Sequence, residues 1–235
     1  MLTHDRDKAI VLSVGRFGQL ASSHVRSLLF ADNASQTPLD RAFTRLLRDK
    51  YLVRIERKMI GGSGAGSGQY VYQLGPTGWE LCGREGRYFP LRSVSYHALA
   101  VADAFVALNK AEQDQRLTIE RYDVEDDAHR FIAGTRLTPD LFVRIGRPNK
   151  PSFALWIEVD LGTERQRQIA DKLDRYWTAY QHATTAHLDV YPPVLFLVPD
   201  RLREEQIADT IRRQPAESHA LFRVALQSNF PDILL

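Results

Sequence analysis

The spacing of apolar residues near the N-terminus predicts short amphipathic helices. Two apolar groups mark the first two: Ile10, Val11 and Val14, then Val25, Leu28 and Leu29. Ser22 precedes the second group and is a candidate N-cap, because its hydroxyl can accept a hydrogen bond from a free backbone amide. We therefore expect one helix over residues 5–14 and another that begins at Ser22.

A third helix is indicated by both its start and its apolar stripe. Thr37 is the expected cap, Pro38 suits the first helical position, and Asp40 lies three residues after the cap. The stripe follows the spacing of a buried helix face: Leu39, Phe43, Leu46 and Leu47. The opposite side, the arginine face, consists of Arg41, Thr44, Arg45 and Arg48.

A glycine-rich run, IGGSGAGSG, separates two segments that read as strands. It is not a P-loop, since Ser67 stands where that motif needs lysine, and it lacks the GxGxxG spacing of a dinucleotide loop. The next segment, QYVYQL, is rich in β-forming residues, so the run is predicted to be the tip of a hairpin. Three cations lie on the first strand of that hairpin: Arg54, Arg57 and Lys58.

Three helices followed by a hairpin is the order of a winged helix-turn-helix, and a short helix from about Thr77 follows it. This interpretation places the arginine face in the major groove of double-stranded DNA. Arg54, Arg57 and Lys58 would then bind the phosphate backbone. Two plainer interpretations stay open: the arginine face is a solvated surface, or the fold mediates protein contacts.

The second part of the chain is predicted to be an α/β domain with the element order αβββαβαβ. Its first helix has an inner face that includes His97, which we interpret as a hydrogen-bonded core histidine. A long helix is expected from Thr163 to about His182. The strands are expected at residues 117–124 and in LTPDLFVRI, FALWIEVDL, PVLFLVPD and LFRVAL.

Three carboxylates are predicted to meet at the ends of neighbouring strands. Asp140 opens one strand, and Glu158 and Asp160 lie two residues apart on the next, so both point to one face of the sheet. Converging carboxylates repel one another unless they share a cation, which predicts a Mg²⁺ or Mn²⁺ site at Asp140 and Glu158. The alternative is structural: Asp140 caps a turn, and the other two pair with helix arginines such as Arg165 or Arg167.

The charge distribution supports a division of the chain into two domains. Residues 1–92 contain 14 Lys+Arg and 8 Asp+Glu, or +6, whereas the remainder contains 17 and 21, or −4. A basic first part can meet a polyanion, and the second part would repel one unless cations intervene. The balance changes at RYFPLR, so we expect domains over residues 1–90 and 91–235.

Composition also excludes several classes of protein. The single cysteine, Cys82, can form neither an intrachain disulfide nor a cysteine zinc site, and we expect it to be buried. No apolar run reaches the length of a membrane span, and the N-terminus is too charged for a signal peptide. The protein is therefore expected to be cytoplasmic.

The second part resembles the PD-(D/E)XK nuclease fold. The resemblance rests on the order of elements, on Pro139-Asp140 and on Glu158-Val159-Asp160. A winged helix followed by RLTPDLFVRI, IEVDLGTE and KLDRY is similar to the replication-relaxation proteins of plasmids and integrated mobile elements. This second resemblance spans most of the chain. It implies double-stranded DNA as the partner and a role in maintenance, mobilisation or control of an element.

One position departs from the nuclease motif. The motif has a lysine two residues after the glutamate, where this chain has Asp160, so we expect repulsion of the substrate and weak or absent cleavage. Lys172 and Tyr176 resemble the QxxxY helix motif of RecB-like nucleases, with lysine in place of glutamine. Lys172 can therefore aim at the carboxylates. The alternative is a solvent-facing Lys172 that pairs with Gln168 or Asp174.

Three functions follow from these predictions. The first is a sequence-directed DNA-binding protein that keeps a nuclease-like fold. The second is an active endonuclease in which Asp140, Glu158 and the Val159 carbonyl hold the metal, with Lys172 stabilising the developing charge. The third is a transcriptional regulator whose second domain serves for homodimerisation or for recruiting a relaxase.

Overall fold

The chain has a mixed α/β fold with two compact units, Met1–Val106 and Ala107–Leu235. A computed structural model describes residues 4–58, 69–184, 188 and 190–235. The glycine run predicted to form the hairpin tip lies outside these described residues. Within the described ranges, no helix combines the length and the apolar character needed to cross a membrane.

The first unit consists of helices and a small antiparallel sheet. Its elements are α1 (Asp5–Phe17), β1 (Gln19–Ala21), α2 (Ser22–Leu29), α3 (Thr37–Arg48), β2 (Leu52–Lys58), β3 (Gln69–Leu74), α4 (Pro76–Leu81) and the start of α5 (Tyr96–Gln113). The sheet order is β1-β3-β2. The strand β1 was not predicted, because three residues are too few for a periodic pattern.

The predicted apolar faces of this unit are buried except at Leu28, Leu29 and Leu47, which are half-buried, and both predicted helix caps are wrong. Ile10, Val14, Leu39 and Phe43 lie in the core. Ser22 and Thr37 are already helical, and the N-cap positions are Ala21 and Gln36. In place of Thr37, the side chain of Ser35 accepts a hydrogen bond from the Thr37 backbone amide at 3.1 Å.

The segment predicted to link two domains is bound to the first unit. The amide of Gln19 donates to the Ser93 carbonyl at 3.0 Å and accepts from the Ser95 backbone amide at 2.7 Å. Gln73 makes the same kind of pair with Leu91, at 2.8 and 3.1 Å. These buried glutamines hold residues 91–95 to the first unit, and the two compact units divide within α5.

The second unit is built on a mixed five-stranded sheet. After α5, its elements are β4 (Thr118–Val124), β5 (Arg130–Ile132), β6 (Thr135–Leu137), β7 (Leu141–Arg147), β8 (Lys150–Val159), α6 (Gln166–His182), β9 (Val194–Val198), α7 (Arg201–Arg212) and β10 (Phe222–Leu226). The main sheet has the order β10-β9-β8-β7-β4. β8, β9 and β10 run parallel, whereas β4, β7 and β8 are antiparallel.

The element order of this unit agrees with the predicted order, apart from the unpredicted hairpin of β5 and β6. Helices α6 and α7 cover one face of the sheet, where Trp156 and Phe196 pack against Leu173 and Ile207. Because β8 and β9 are parallel, their carboxyl ends meet at one edge of the sheet. The residues that follow Ile157 and Leu197 therefore lie together at this end of the strands.

Candidate functional site

The arginine face of α3 lies on the surface of the first unit, as the helical spacing predicted. Arg41, Thr44 and Arg48 are exposed. On the opposite side, Phe43 stacks on Tyr72 of β3 with ring centroids 3.9 Å apart. Packing against the sheet therefore fixes α3 and directs the arginine face away from the core.

Arg45 differs from the other arginines of this face because it forms a partly buried ion pair. Its Nε and Nη2 donate to the two carboxylate oxygens of Asp7 at 2.9 and 2.8 Å. Asp7, on α1, is only 3% exposed. These hydrogen bonds raise the pKa of Arg45 above its ordinary value. Arg45 thus fastens α3 to α1, a role that helical spacing alone did not reveal.

Thr44 and Arg48 of the arginine face make local contacts. The Thr44 hydroxyl donates to the Asp40 carbonyl at 2.8 Å. Arg48 pairs with its neighbour Asp49, with 2.7 Å between Nε and Oδ1, and both side chains are exposed. Exposed pairs of this kind add little stability and are easily exchanged for another anion. Arg41 and Arg48 are therefore accessible to a ligand.

The predicted hairpin strands, β2 and β3, pair antiparallel beside α3. Arg54 is exposed on β2, and its guanidinium lies 4.0 Å from the ring centroid of Tyr70. The side chains of Arg57 and Lys58 lie outside the described residues, as does the glycine run. The prediction that these cations bind a phosphate backbone stays a prediction.

In the second unit, the β7–β8 hairpin brings Asp140 beside the end of β8. The register pairs Leu141 with Ile157, and the Asp140 amide donates to the Ile157 carbonyl at 3.1 Å. In return, Oδ2 of Asp140 accepts a hydrogen bond from the Val159 amide at 2.6 Å. Asp140, just before β7, and Glu158, on β8, therefore lie at the same end of two neighbouring strands, as predicted.

Glu158 is the centre of a buried polar cluster. It is 2% exposed, and its Oε2 lies 2.7 Å from Nζ of Lys172. Its Oε1 accepts a hydrogen bond from the Tyr176 hydroxyl at 2.6 Å. Lys172 and Tyr176 are one turn apart on α6 and point to the same strand. The alternative of a solvent-facing Lys172 paired with Gln168 or Asp174 is wrong.

Burial and charge change the protonation of this cluster. Burial, with a smaller effect of Asp140, raises the pKa of Glu158 to about 7, although Lys172 opposes the shift. Burial on its own would lower the pKa of Lys172, but the Glu158 carboxylate outweighs it and raises that pKa above the ordinary value. Burial also raises the pKa of Tyr176, and Glu158 adds to the effect. Lys172 is thus a cation at neutral pH.

Asp160 does not join this cluster. Its two oxygens accept hydrogen bonds from Nε and Nη2 of Arg203 on α7 at 2.8 and 2.7 Å, and both residues are buried. A structural pairing with a helix arginine was expected as the alternative for Asp160. The partner, however, belongs to α7 and not to the helix that follows β8. Arg203 neutralises the carboxylate that stands at the motif lysine position.

Glu164 is a neighbour of Lys172 that the predicted site did not include. Its Oε1 lies 3.3 Å from Nζ of Lys172. Its Oε2 is buried and accepts no hydrogen bond within the described part of the chain. Glu164 lies just before α6 and eight residues before Lys172, a spacing that places two residues on the same face of a helix. This spacing could have identified Glu164 as part of the site.

The donor set of this carboxylate–lysine cluster (Asp140, Glu158, Glu164 and Lys172) suits a hard divalent cation. All three carboxylates interact electrostatically with the Lys172 ammonium group. Among the described residues, Oε2 of Glu164 is buried and has no hydrogen-bond partner. Mg²⁺ and Mn²⁺ bind such oxygen ligands. Oxygen donors are thus present at the predicted site, and the expectation that Asp140 and Glu158 hold the metal stays a prediction.

Comparison with known proteins establishes the family. A sequence model of the replication-relaxation family matches residues 12–193, which include α3 and the carboxylate–lysine cluster. The chain belongs to the replication-relaxation family. Membership connects this replication-relaxation protein with the replication or relaxation of plasmids or mobile elements. No curated protein and no solved structure is significantly similar to it.

Proposed function

We propose that this replication-relaxation protein binds double-stranded DNA in the cytoplasm and carries a metal-dependent endonuclease centre. It would serve maintenance, mobilisation or control of a plasmid or mobile element. The first unit is then a winged helix-turn-helix, and the second is a PD-(D/E)XK nuclease-like domain. The observation that carries the proposal is the 2.7 Å contact between Lys172 Nζ and Glu158.

DNA binding is supported by the accessible cations of the first unit. Arg41 and Arg48 project from a helix that packs on the sheet with its other side, so they can enter a major groove together with Thr44. Arg54 on β2 can bind the phosphate backbone beside them. Arg45 has a different role in this proposal: it orients α3 through Asp7, and any contact with DNA is secondary.

Lys172 supplies the cation that the sequence motif lacks. The objection to catalysis was a carboxylate, Asp160, at the position of the motif lysine. Because Arg203 holds and neutralises that carboxylate, it does not repel a phosphate. Lys172 reaches the same sheet edge from α6, where a protonated Nζ can stabilise the charge that develops on an attacked phosphodiester.

Asp140 and Glu158, with the Val159 carbonyl, are the groups that would hold Mg²⁺ or Mn²⁺. When bound, such an ion supplies a Lewis acid and a water of lowered pKa. The Tyr176 hydroxyl keeps Glu158 oriented through a 2.6 Å hydrogen bond. Glu164 also contacts Lys172, at 3.3 Å, and helps to hold its ammonium group at the cluster.

A nicking assay with Mn²⁺ on supercoiled plasmid tests this proposal, with metal affinity measured in parallel by calorimetry. We expect the wild-type chain to nick, and Asp140→Ala and Glu158→Ala to lose both nicking and metal affinity. Arg175→Ala, an exposed change on the same helix, serves as the control. Folded wild-type protein that neither binds the metal nor nicks DNA would overturn the endonuclease centre.

One observation favours a second candidate. Both oxygens of Glu158 already have partners in Lys172 and Tyr176, as expected of a structural ion pair. The second unit would then be an inactive interaction module of a transcriptional regulator, used for homodimerisation or for recruiting a relaxase. Sedimentation of the folded chain with and without DNA distinguishes a dimer of this kind from a monomeric enzyme.

A further inference from the structure

A small hairpin, formed by β5 and β6, immediately precedes the carboxylate–lysine cluster in the chain. Its turn residues, Ala133 and Gly134, have positive φ angles of 47° and 82°. This is the geometry of a tight two-residue turn between antiparallel strands. Only Thr138 and Pro139 separate the end of β6 from Asp140.

The hairpin has one buried face and one exposed face. Phe131 lies opposite Arg136, and Ile132 lies opposite Thr135. Opposed residues share a face, and successive residues alternate between faces. Ile132 and Leu137 point inward and join the core that includes α6. Phe131 and Arg136 therefore point outward side by side.

The hairpin holds Phe131 in a fixed, solvent-exposed position. Phe131 is 72% exposed, although its neighbour Ile132 is buried. At the base of the hairpin, Arg130 binds the Asp123 carboxylate at 2.5 Å and the carbonyls of Asp127 and His129 at 2.8 Å. An exposed aromatic ring on a pinned hairpin loses little conformational entropy when it stacks on a ligand.

The charges around the hairpin favour contact with a single nucleotide over contact with a long stretch of phosphate backbone. Arg136 is exposed next to Phe131, whereas the turn before the hairpin carries Asp126 and Asp127. These aspartates oppose the approach of a long stretch of phosphate backbone. A single base stacked on Phe131, with its phosphate on Arg136, avoids them. Stacking on aromatic rings combined with a nearby cation is how proteins bind unpaired bases.

We propose that Phe131 stacks on an unpaired DNA base beside the carboxylate–lysine cluster, while Arg136 binds the adjoining phosphate. This inference rests on the proposed DNA-binding function and adds to it a preference for DNA with an opened or single-stranded junction. The preference comes from the second unit and is separate from duplex binding by α3.

The test compares the affinity of the full chain for a forked DNA and for a blunt duplex of the same sequence, by fluorescence anisotropy without divalent metal. Wild-type protein is expected to prefer the fork, and Phe131→Ala to reduce that preference about tenfold while duplex affinity stays the same. Phe131→Trp keeps the preference because it retains an aromatic ring. Phe89→Ala is the matched control, since Phe89 is 73% exposed in the first unit.

The possible failures are distinguishable. If Phe131→Ala binds the fork as tightly as the wild-type chain does, the stacking role is overturned, although duplex binding and the proposed function stand. If the wild-type chain binds neither the fork nor the duplex, both the proposed function and the stacking role are overturned. If Phe131→Ala alters only self-association in sedimentation, the hairpin is an interface between copies of this chain and the proposal is also overturned.

Discussion

The charged residues of α3 and those at the end of β8 are held in opposite ways. On α3, Arg41 and Arg48 are exposed, and Arg48 pairs with its neighbour in the chain, Asp49. At the end of β8, Glu158 and Asp160 are buried, and each is paired with a side chain of a later helix. A solvated charge needs no fixed partner, whereas a buried charge is costly without one. The arginines of α3 are thus available to bind a ligand. Glu158 and Asp160 keep their protein partners unless a ligand displaces one of them.

The largest effect is expected from breaking the pair of Asp160 and Arg203. Arg203→Ala leaves a buried, unpaired carboxylate and should lower the free energy of unfolding by about 3–5 kcal/mol. Arg201→Ala is the matched control, because Arg201 lies two residues earlier on the same helix and its exposed side chain pairs with Glu204 at 2.6 Å. Urea denaturation of both variants measures the difference. Equal stability of the two variants would contradict the contrast between buried and exposed charges.

A smaller loss of unfolding free energy is expected when Arg45 is replaced. Arg45 is partly exposed, like the other arginines of α3, but it pairs with a buried carboxylate. Arg45→Ala leaves Asp7 buried without its partner and should cost about 1–2 kcal/mol, discounted because the arginine itself is partly exposed. Arg48→Ala, three residues later on α3, should leave the unfolding free energy unchanged. The comparison uses urea denaturation at neutral pH. A loss at Arg48 as large as that at Arg45 would show that position on the helix, and not the buried partner, sets the cost.

The raised pKa of Glu158 predicts a dependence of stability on pH. With a pKa of about 7, the native carboxyl keeps its proton over a range in which the unfolded chain, with the ordinary value of 4.5, has lost it. The native state then binds more protons, so the free energy of unfolding falls as the pH rises from about 4.5 to about 7. Glu158→Gln removes this titration. Its unfolding free energy, measured across the same range, should fall less steeply than that of the wild-type chain.

Replacement of the exposed arginines is expected to have the smallest effect on stability but a clear effect on DNA binding. Arg41→Ala and Arg48→Ala should each reduce the salt dependence of the logarithm of the DNA affinity by about 0.9 if each contacts one phosphate. If one of them reads a guanine, that variant instead loses base preference at one position. The double variant should remain as stable as the wild-type chain. Unchanged DNA affinity in that folded double variant would remove α3 from the proposed interface.

The sequence allowed much of the fold to be predicted because its signals are local. The apolar stripe that includes Leu39 and Phe43 predicted α3, and the turn between β7 and β8 predicted that Asp140 lies beside Glu158. The short strand β1 and the β5–β6 hairpin were missed, since three residues give no measurable periodicity. The domain boundary was expected near residue 90 because the charge balance changes there. The side-chain hydrogen bonds of Gln19 and Gln73 with residues 91–95 leave no local pattern in the sequence.

The site was predicted less completely, because its partners come from distant elements. The spacing of Lys172 and Tyr176 on one helix suggested that they reach the carboxylates. Arg203 lies far along the chain from Asp160, and nothing in the spacing of either residue connects them. The expectation of weak cleavage rested on Asp160 at the position of the motif lysine. Arg203 pairs with that carboxylate, and Lys172 contacts Glu158 from a different element.

Nicking by a Lys172→Ala variant tests the central claim most directly, because it separates catalysis from metal binding. Metal affinity should be kept or increased, since Lys172 no longer competes for Glu158, while the nicking rate with saturating Mn²⁺ should fall about 100-fold. Calorimetry and plasmid nicking on the same folded protein, beside Arg175→Ala, give both values. A Lys172→Ala variant that binds Mn²⁺ and nicks as fast as the wild-type chain would contradict the account.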